Sequence, residues 1–78
     1  MTKSLYSTKY ERLCDLLVEA RKKRNLTQSA VSAALGKPQS FVSKYERRER
    51  RLDVVEFVEV ADALGLDPCE LLRDIRKH

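Results

Sequence analysis

Apolar residues recur along this chain at intervals of three and four, and no segment alternates strictly between apolar and polar residues. Such intervals place side chains on one face of an α-helix, whereas strict alternation is typical of a β-strand. The basic run from Arg21 to Arg24 suits a helix carboxyl end, where the helix dipole favours cations. The spacing therefore predicts an all-α chain, whose first helix carries the apolar residues Tyr6, Tyr10, Leu13, Leu17 and Ala20.

Helix start and stop signals divide the middle of the chain into two short helices. Thr27 is a good N-cap, and Gly36 is suited to end the helix that follows it. Pro38 fits the first turn of the next helix, because that turn needs no N–H from the proline. Two short helices joined by a tight glycine-containing turn are typical of a helix-turn-helix, here at about residues 27–47. Its inward positions would be Val31, Ala34, Leu35, Val42 and Tyr45.

Two further helices are predicted over about residues 53–76. Asp53 with Glu56 forms a capping-box pattern, and Asp67-Pro68 offers an N-cap followed by proline. The expected apolar stripe of the fourth helix is Val54, Phe57, Val58, Ala61 and Leu64, and that of the fifth is Leu71, Leu72 and Ile75. These signals predict a compact five-helix bundle that forms a single domain over residues 1–78.

Charge is unevenly distributed along the chain. The net charge is +4, and the three successive thirds carry +4, +4 and −4. A basic side with an acidic end indicates a polyanionic partner, although the same charges could simply keep the surface soluble. The charge pattern alone does not separate the two interpretations.

Several function classes are disfavoured by what the sequence contains. His78 is the single histidine, and Cys14 and Cys69 lie far apart, so neither a zinc site nor a catalytic cluster is indicated. We expect both cysteines to be core or interface residues. No signal peptide and no transmembrane run is present, which favours a cytoplasmic protein. We therefore expect a protein that is not an enzyme and has no cofactor and no metal.

The segment TQSAVSAALGKPQSFVSKYE, residues 27–46, resembles the helix-turn-helix of the lambda-repressor/Cro-like family, also called the XRE family. The downstream run RRLDVVEFVEVADALGLDPCELL is similar to the family's fourth and fifth helices, and Arg21 matches its helix-one arginine. The resemblance covers roughly residues 10–72. It implies a lambda-repressor-like fold that binds double-stranded DNA, with the second short helix in the major groove.

The resemblance also implies roles for individual side chains. The base-reading residues would be Gln39, Ser40, Ser43 and Lys44. The DNA-backbone contacts would be Thr27, Gln28, Lys37, Phe41, Arg47, Arg48, Arg50 and Arg51. For Phe41, burial against a neighbouring helix is the alternative, and for each arginine it is a solvated surface charge. Glu49 is expected to pair with one of these arginines, and Gln28 is expected to brace Gln39.

Arg21 and Glu46 correspond to an ion pair that lies between the first helix and the recognition helix in the family. The sequence departs from the family pattern at Arg48, where a glycine usually ends the recognition helix, so the helix could run a turn further. Lys37 occupies a position that is often apolar. Pro38 replaces the usual hydroxyl cap, which leaves the N-cap role unfilled.

The function implied is that of a homodimeric transcriptional regulator, a repressor that binds an inverted-repeat operator. Activation through contact with a polymerase is also open. The alternative is a DNA-binding antitoxin, or a protein-interaction module, whose main role is to dock a partner protein. Because the acidic third of the chain would be repelled by DNA, we expect the dimer interface there, around Leu66, Leu72 and Ile75.

Overall fold

The computed structural model describes residues 8–77, which form five helices and no strand. The helices are α1 (Thr8–Lys23), α2 (Gln28–Leu35), α3 (Gln39–Glu46), α4 (Val54–Ala63) and α5 (Pro68–Arg76). The predicted all-α, five-helix architecture is confirmed. Tyr6, which was assigned to the first helix, and His78 lie outside the described residues.

The helix boundaries are set by the capping residues that the sequence indicates. The Thr27 hydroxyl accepts a hydrogen bond from the Ala30 N–H at 3.0 Å. At the start of α4 the Asp53 carboxylate accepts from the Glu56 N–H at 2.7 Å, and the Glu56 carboxylate accepts from the Asp53 N–H at 3.0 Å. Pro38 precedes α3 without any side-chain cap bond, as predicted. Each of the two caps satisfies N–H groups that a helix start otherwise leaves unbonded.

All five helices contribute buried side chains to one core. Leu17, Val42, Tyr45, Val60 and Leu64 are fully buried in it. Tyr45 is among the largest of the fully buried side chains, and it fixes the inner face of α3 against the other helices. Because interiors are close-packed, this side chain leaves α3 little freedom to roll about its axis.

The predicted apolar stripe of α4 is wrong at two of its five positions. Val54 and Val58 are 73% and 39% exposed, while Phe57, Val60, Ala61 and Leu64 face the core. Residues 57, 60, 61 and 64 keep the same intervals of three and four as the predicted set, shifted around the helix. Because valines stand at 54, 55, 58 and 60, the sequence offers two overlapping stripes, and only the packing of α4 selects between them.

The two cysteines have different environments. Cys14 is buried and its thiol donates to the Tyr45 carbonyl at 3.6 Å, whereas Cys69 is exposed at the start of α5. Burial raises the pKa of the Cys14 thiol. Residues 8–77 contain no cluster of His, Cys, Asp or Glu that could hold a metal ion. None of the described helices is long and apolar enough to cross a membrane.

Candidate nucleic-acid interface

The turn between α2 and α3 sets the angle of the two helices. Gly36 has a φ of 68°, which glycine adopts without steric cost. Its N–H donates to the Ala33 carbonyl at 3.1 Å, and the Lys37 N–H donates to the Ser32 carbonyl at 2.9 Å. These bonds end α2 in the manner of a Schellman motif. Pro38 then directs the chain into α3 with its fixed φ of −67°.

The outer face of α3 carries the four side chains that the sequence assigns to base reading. Gln39, Ser40 and Lys44 are exposed and Ser43 is half-buried, while Val42 and Tyr45 on the opposite face are fully buried. The polar face is therefore held in place by the buried side chains on the opposite side of α3. Glutamine can form two hydrogen bonds with adenine, and lysine can donate to guanine, so this face has chemistry suited to the major groove.

Arg21 and Glu46 form a nearly buried ion pair that ties α1 to the end of α3. The Arg21 Nε donates to Glu46 Oε2 at 2.6 Å, and the two side chains are only 13% and 7% exposed. The Glu46 hydrogen bond raises the pKa of Arg21. A second Arg21 nitrogen donates to the Leu26 carbonyl at 2.8 Å, so the pair also fixes the chain that enters α2.

Gln28 contacts Glu46 in this structure. Its amide nitrogen donates to Glu46 Oε1 at 2.9 Å, whereas the family resemblance implies a contact with Gln39. The N-terminus of α2 and the C-terminus of α3 are thereby joined through one carboxylate. In the first turn of α2, Ser29 and Ala30 are exposed to solvent.

Phe41 is buried, which is the alternative to a contact with the DNA backbone. The ring is 8% exposed and packs edge-on against Tyr45, with ring centroids 5.7 Å apart. Lys37 Nζ lies 5.3 Å and Arg50 Cζ 5.0 Å from its centroid. Phe41 therefore underlies two cations, one from the residues before α3 and one from the loop after it, through cation–π contacts.

Each of the four arginines after α3 has a different partner. Arg47 pairs with Glu49 at 3.1 Å, as expected for Glu49, and both side chains are more than half exposed. Arg48 pairs with Asp15 of α1 at 3.2 Å. Arg50 donates to both carboxylate oxygens of Glu56 at 2.8 Å. The guanidinium of Arg51 lies 4.2 Å from the centroid of the Tyr10 ring.

The backbone conformation at Arg48 shows where α3 ends. The helix stops at Glu46, and Arg48 adopts a φ of 62°, the left-handed conformation that glycine favours. The Arg48 and Glu49 N–H groups donate to the carbonyls of Tyr45 and Lys44 at 3.1 and 2.9 Å. The expectation that the helix could run a turn further is wrong, because Arg48 takes the left-handed conformation that commonly ends a helix.

Three residues that hold this loop were not assigned a site role from sequence. They are Asp15, which binds Arg48, Glu56, which binds Arg50, and Tyr10, which lies under Arg51. The Tyr10 hydroxyl also donates to the Arg50 carbonyl at 3.1 Å and accepts from the Leu52 N–H at 3.3 Å. The hydrogen-bonded ion pair with Arg50 is the main reason that the pKa of Glu56 is lowered to about 2, and the capping hydrogen bond from the Asp53 N–H is the second. The sequence marks Glu56 only as a capping residue.

Comparisons with known proteins agree with this geometry. A family model described as helix-turn-helix matches residues 17–71. An uncharacterised HTH-type transcriptional regulator, y4dJ of Sinorhizobium fredii, is 38% identical over 52 residues, which are 67% of this chain and 68% of that protein. An XRE-family like protein from Pseudomonas syringae pv. tomato has 49% identity and a TM-score of 0.85, over 88% of this chain and 84% of its own.

A second solved structure extends the similarity. The restriction-modification controller protein C.AhdI from Aeromonas hydrophila is 28% identical, with a TM-score of 0.75 over 83% of this chain and 98% of that one. The matching family is a class of helix-turn-helix transcription regulators and not of enzymes. The chain belongs to the helix-turn-helix family of the XRE type, and it is a DNA-binding transcriptional regulator.

Proposed function

We propose that the protein is a cytoplasmic, homodimeric repressor that reads an inverted-repeat operator through α3. The observation that carries this proposal is the polar outer face of α3, fixed on one side by buried Val42 and Tyr45 and at its end by the Arg21–Glu46 pair. A reading helix must hold its side chains at fixed positions, because each good two-point contact with a base discriminates by about 1–3 kcal/mol.

Gln39, Ser40, Ser43 and Lys44 supply the base contacts in this proposal. Gln39 and Ser40 lie in the first turn of α3, which is the end that enters the groove in this family of folds. Ser40 and Ser43 are short, so they allow the helix backbone to approach the bases closely. Lys44 is exposed, and no ion pair within residues 8–77 engages it, so its ammonium group is available to an acceptor on a base.

Phosphate contacts come from both sides of α3. Thr27 and Gln28 lie at the start of α2, Lys37 precedes α3, and Arg47 and Arg50 follow it. Lys37 and Arg50 are held over the same Phe41 ring, which supports their acting on neighbouring phosphates. Contacts of this kind give affinity and register but carry no direct sequence information.

A dimer follows from the size of the reading surface. One such domain covers half a site, and two copies related by a twofold axis read half-sites about 34 Å apart along the duplex. An operator with inverted symmetry would match that arrangement. Occupation of a promoter by the dimer would exclude the polymerase, which is the simplest route to repression. The similarity to a restriction-modification controller protein supports a regulatory role.

Selection of duplex DNA from a random pool tests the proposal. We expect the enriched sequences to contain a palindrome whose half-sites are centred one helical turn apart. The Gln39→Ala variant should change the enriched half-site, whereas Lys22→Ala on the exposed end of α1 should not. Enrichment of no sequence, together with binding that vanishes at moderate salt, would leave only nonspecific affinity and would refute the operator-reading role.

A further inference from the structure

Glu56 is a carboxylate that lies among the cations of the proposed phosphate contacts. Its side chain is only 13% exposed, whereas that of its partner Arg50 is 42% exposed. The Arg50 hydrogen bonds are the main cause of its lowered pKa, and the charge of Lys37 is a smaller one, so both cations lie near this carboxylate. Capping of α4 uses only Oε1 of Glu56, and Oε2 accepts from Arg50 alone. Capping therefore does not account for the whole carboxylate.

The guanidinium of Arg50 is held by its end rather than by its side. Nη1 and Nη2 donate to the two oxygens of Glu56 at 2.8 Å, and Nη1 also donates to the Arg51 carbonyl at 3.3 Å. The side edge, formed by Nε and the remaining hydrogen of Nη2, has no hydrogen-bond partner within residues 8–77. Two parallel N–H groups of this kind match two oxygens of a phosphate. Glu56 thus leaves open the edge of Arg50 that suits a phosphate.

Arg50 follows α3 in the sequence but lies beside its start. Its Cζ is 5.0 Å from the centroid of the Phe41 ring, which belongs to the first turn of α3, and Lys37 Nζ is 5.3 Å from the same ring. The Arg50 backbone is held as well, because its carbonyl accepts from the Tyr10 hydroxyl at 3.1 Å. The guanidinium is therefore fixed near the end of α3 that enters the groove in the proposed function.

Arg47 and Glu49 form a pair with the opposite geometry in the same loop. Glu49 accepts from Nε and Nη2 of Arg47, both at 3.1 Å, so it covers the side edge that a phosphate would need. Both side chains are more than half exposed, and an exposed pair of this kind breaks at little cost. The loop and the start of α4 therefore contain one carboxylate that covers the side edge of an arginine and another that leaves it open.

We propose that Glu56 is a positioning residue for DNA binding, which holds Arg50 by one edge so that its other edge meets a phosphate beside the start of α3. A long side chain loses rotamer freedom when it binds a ligand. Glu56 and the Phe41 ring order Arg50 before DNA arrives, so less freedom is lost on binding. The inference rests on the phosphate contact that the proposed function gives to Arg50, and it adds the residue that orients this contact.

This role of Glu56 is independent of where the subunits of the proposed dimer meet. Of the residues expected at that interface, Leu72 is exposed, whereas Leu66 and Ile75 pack against the core. The contacts of Arg50 with Glu56 and Phe41 all lie within one chain. Each subunit therefore orients its own phosphate contact.

Glu56→Gln separates positioning from charge, because the two effects have opposite signs. Glutamine keeps an oxygen that can accept from the Asp53 N–H, but it loses the ion pair with Arg50. Removal of a negative charge near DNA would by itself tighten binding. We expect the variant to bind random duplex at least about fivefold more weakly at one fixed salt concentration, because Arg50 must then be ordered on binding. Binding as tight as that of the wild type, or tighter, would overturn the proposal.

Glu49→Gln is the matched control, since it makes the same change of charge in the loop before α4. Glu49 covers the side edge of Arg47, so this variant should bind random duplex at least as tightly as the wild type. Equal weakening by Glu49→Gln and Glu56→Gln would show that the edge left open is irrelevant, and it would refute the proposal. Circular dichroism at the binding temperature checks that both variants are folded.

A double-mutant cycle with Arg50→Met separates positioning from a general effect on the fold. In the Arg50→Met background, Glu56→Gln should no longer weaken binding. Equal weakening in both backgrounds would show that Glu56 acts through the structure of α4, and it would refute the proposal. Arg50→Lys keeps the charge but lacks the planar fork, so it should also weaken binding. An Arg50→Lys variant that binds like the wild type would show that charge alone suffices, which contradicts an oriented edge.

The failures are distinguishable from that of the proposed function. Phosphate contacts carry no direct sequence information, so Glu56→Gln should weaken binding to the operator and to random duplex by the same factor. A changed operator sequence in the Glu56→Gln variant would refute the positioning role. If Arg50→Met binds like the wild type, Arg50 contacts no phosphate and the inference fails, while base reading by α3 stands. A wild-type chain that enriches no sequence would instead remove the operator-reading role itself.

Discussion

At the scale of single residues, the carboxylate of Glu46 has the most demanding role. It accepts hydrogen bonds from two nitrogens of Arg21 and from the amide of Gln28, at 2.6 to 3.1 Å. Desolvation offsets much of the attraction in a buried ion pair, so the pair fixes geometry more than it adds stability. Removing one partner, however, leaves the other charge buried without compensation.

We predict that Glu46→Ala lowers the free energy of unfolding by about 3 kcal/mol, because it strands the Arg21 guanidinium. Urea denaturation measures the change. Asp74→Ala removes the half-exposed partner of Arg12, whose pair is 35% and 37% exposed, and should cost no more than about 1 kcal/mol. Equal losses of unfolding free energy in the two variants would show that burial of the Arg21–Glu46 pair does not increase the cost of breaking it.

Arg48 shows a second residue-scale effect, since a non-glycine residue in the left-handed region carries strain of order 1 kcal/mol. We predict that Arg48→Gly is about 1 kcal/mol more stable than Arg48→Ala. Both variants lose the ion pair with Asp15, and only glycine relieves the backbone. Thermal unfolding of the two variants measures the difference, and equal stabilities would argue against strain at this position.

At the scale of elements, the proposed base-reading role of α3 implies that its outer face determines sequence preference more than affinity. We predict that Gln39→Ala combined with Lys44→Ala reduces the preference for the selected operator over random duplex by about 100-fold, while affinity for random duplex changes little. Competition binding at one fixed salt concentration measures both quantities. If the preference for the operator survives the double substitution, the bases are read by other side chains.

The start of α4 is predicted to be acid-sensitive. The pKa of Glu56 is lowered to about 2 in the fold, so its stabilising contribution is fully present above its ordinary pKa near 4.5 and is lost as the pH falls toward 2. Glu56→Gln should therefore flatten the dependence of stability on pH in this window. Glu59→Gln, on the exposed side of the same helix, should leave it in place. Indistinguishable pH profiles for the two variants would contradict the assignment.

The elements were predictable from the sequence to the extent that their signals are local. Thr27, Gly36 and Asp53 act through neighbouring backbone groups, and their positions in sequence were enough to place α2 and α4. The partners of Arg48 and Phe41 were not predictable, because Asp15 and Arg50 reach them through tertiary packing. The predicted apolar stripe of α4 was wrong for the same reason. Two spacings of valines are possible in the sequence, and only packing against neighbouring helices determines which residues are buried.

At the scale of the whole molecule, binding is predicted to depend steeply on salt. The logarithm of the binding constant falls with that of the salt concentration, by about 0.9 per phosphate contacted. Arg47→Met should reduce this slope by about 1 per subunit, since Arg47 is exposed beside the reading helix. Arg48→Met should change it little, because Arg48 is directed toward Asp15 of α1. The reverse order of the two effects would reassign the phosphate contact.

The buried thiol of Cys14 can be used to measure how often this small fold opens locally. Its sulfur is sealed beneath the Tyr45 carbonyl, where α1 meets the reading helix, while Cys69 is open to solvent. A thiol reagent should therefore label the chain in two steps: at once at Cys69, then at a rate set by how often α1 and α3 part. Operator DNA should slow only the second step. The rate of Cys14 labelling would therefore report how much bound DNA reduces local opening between α1 and α3.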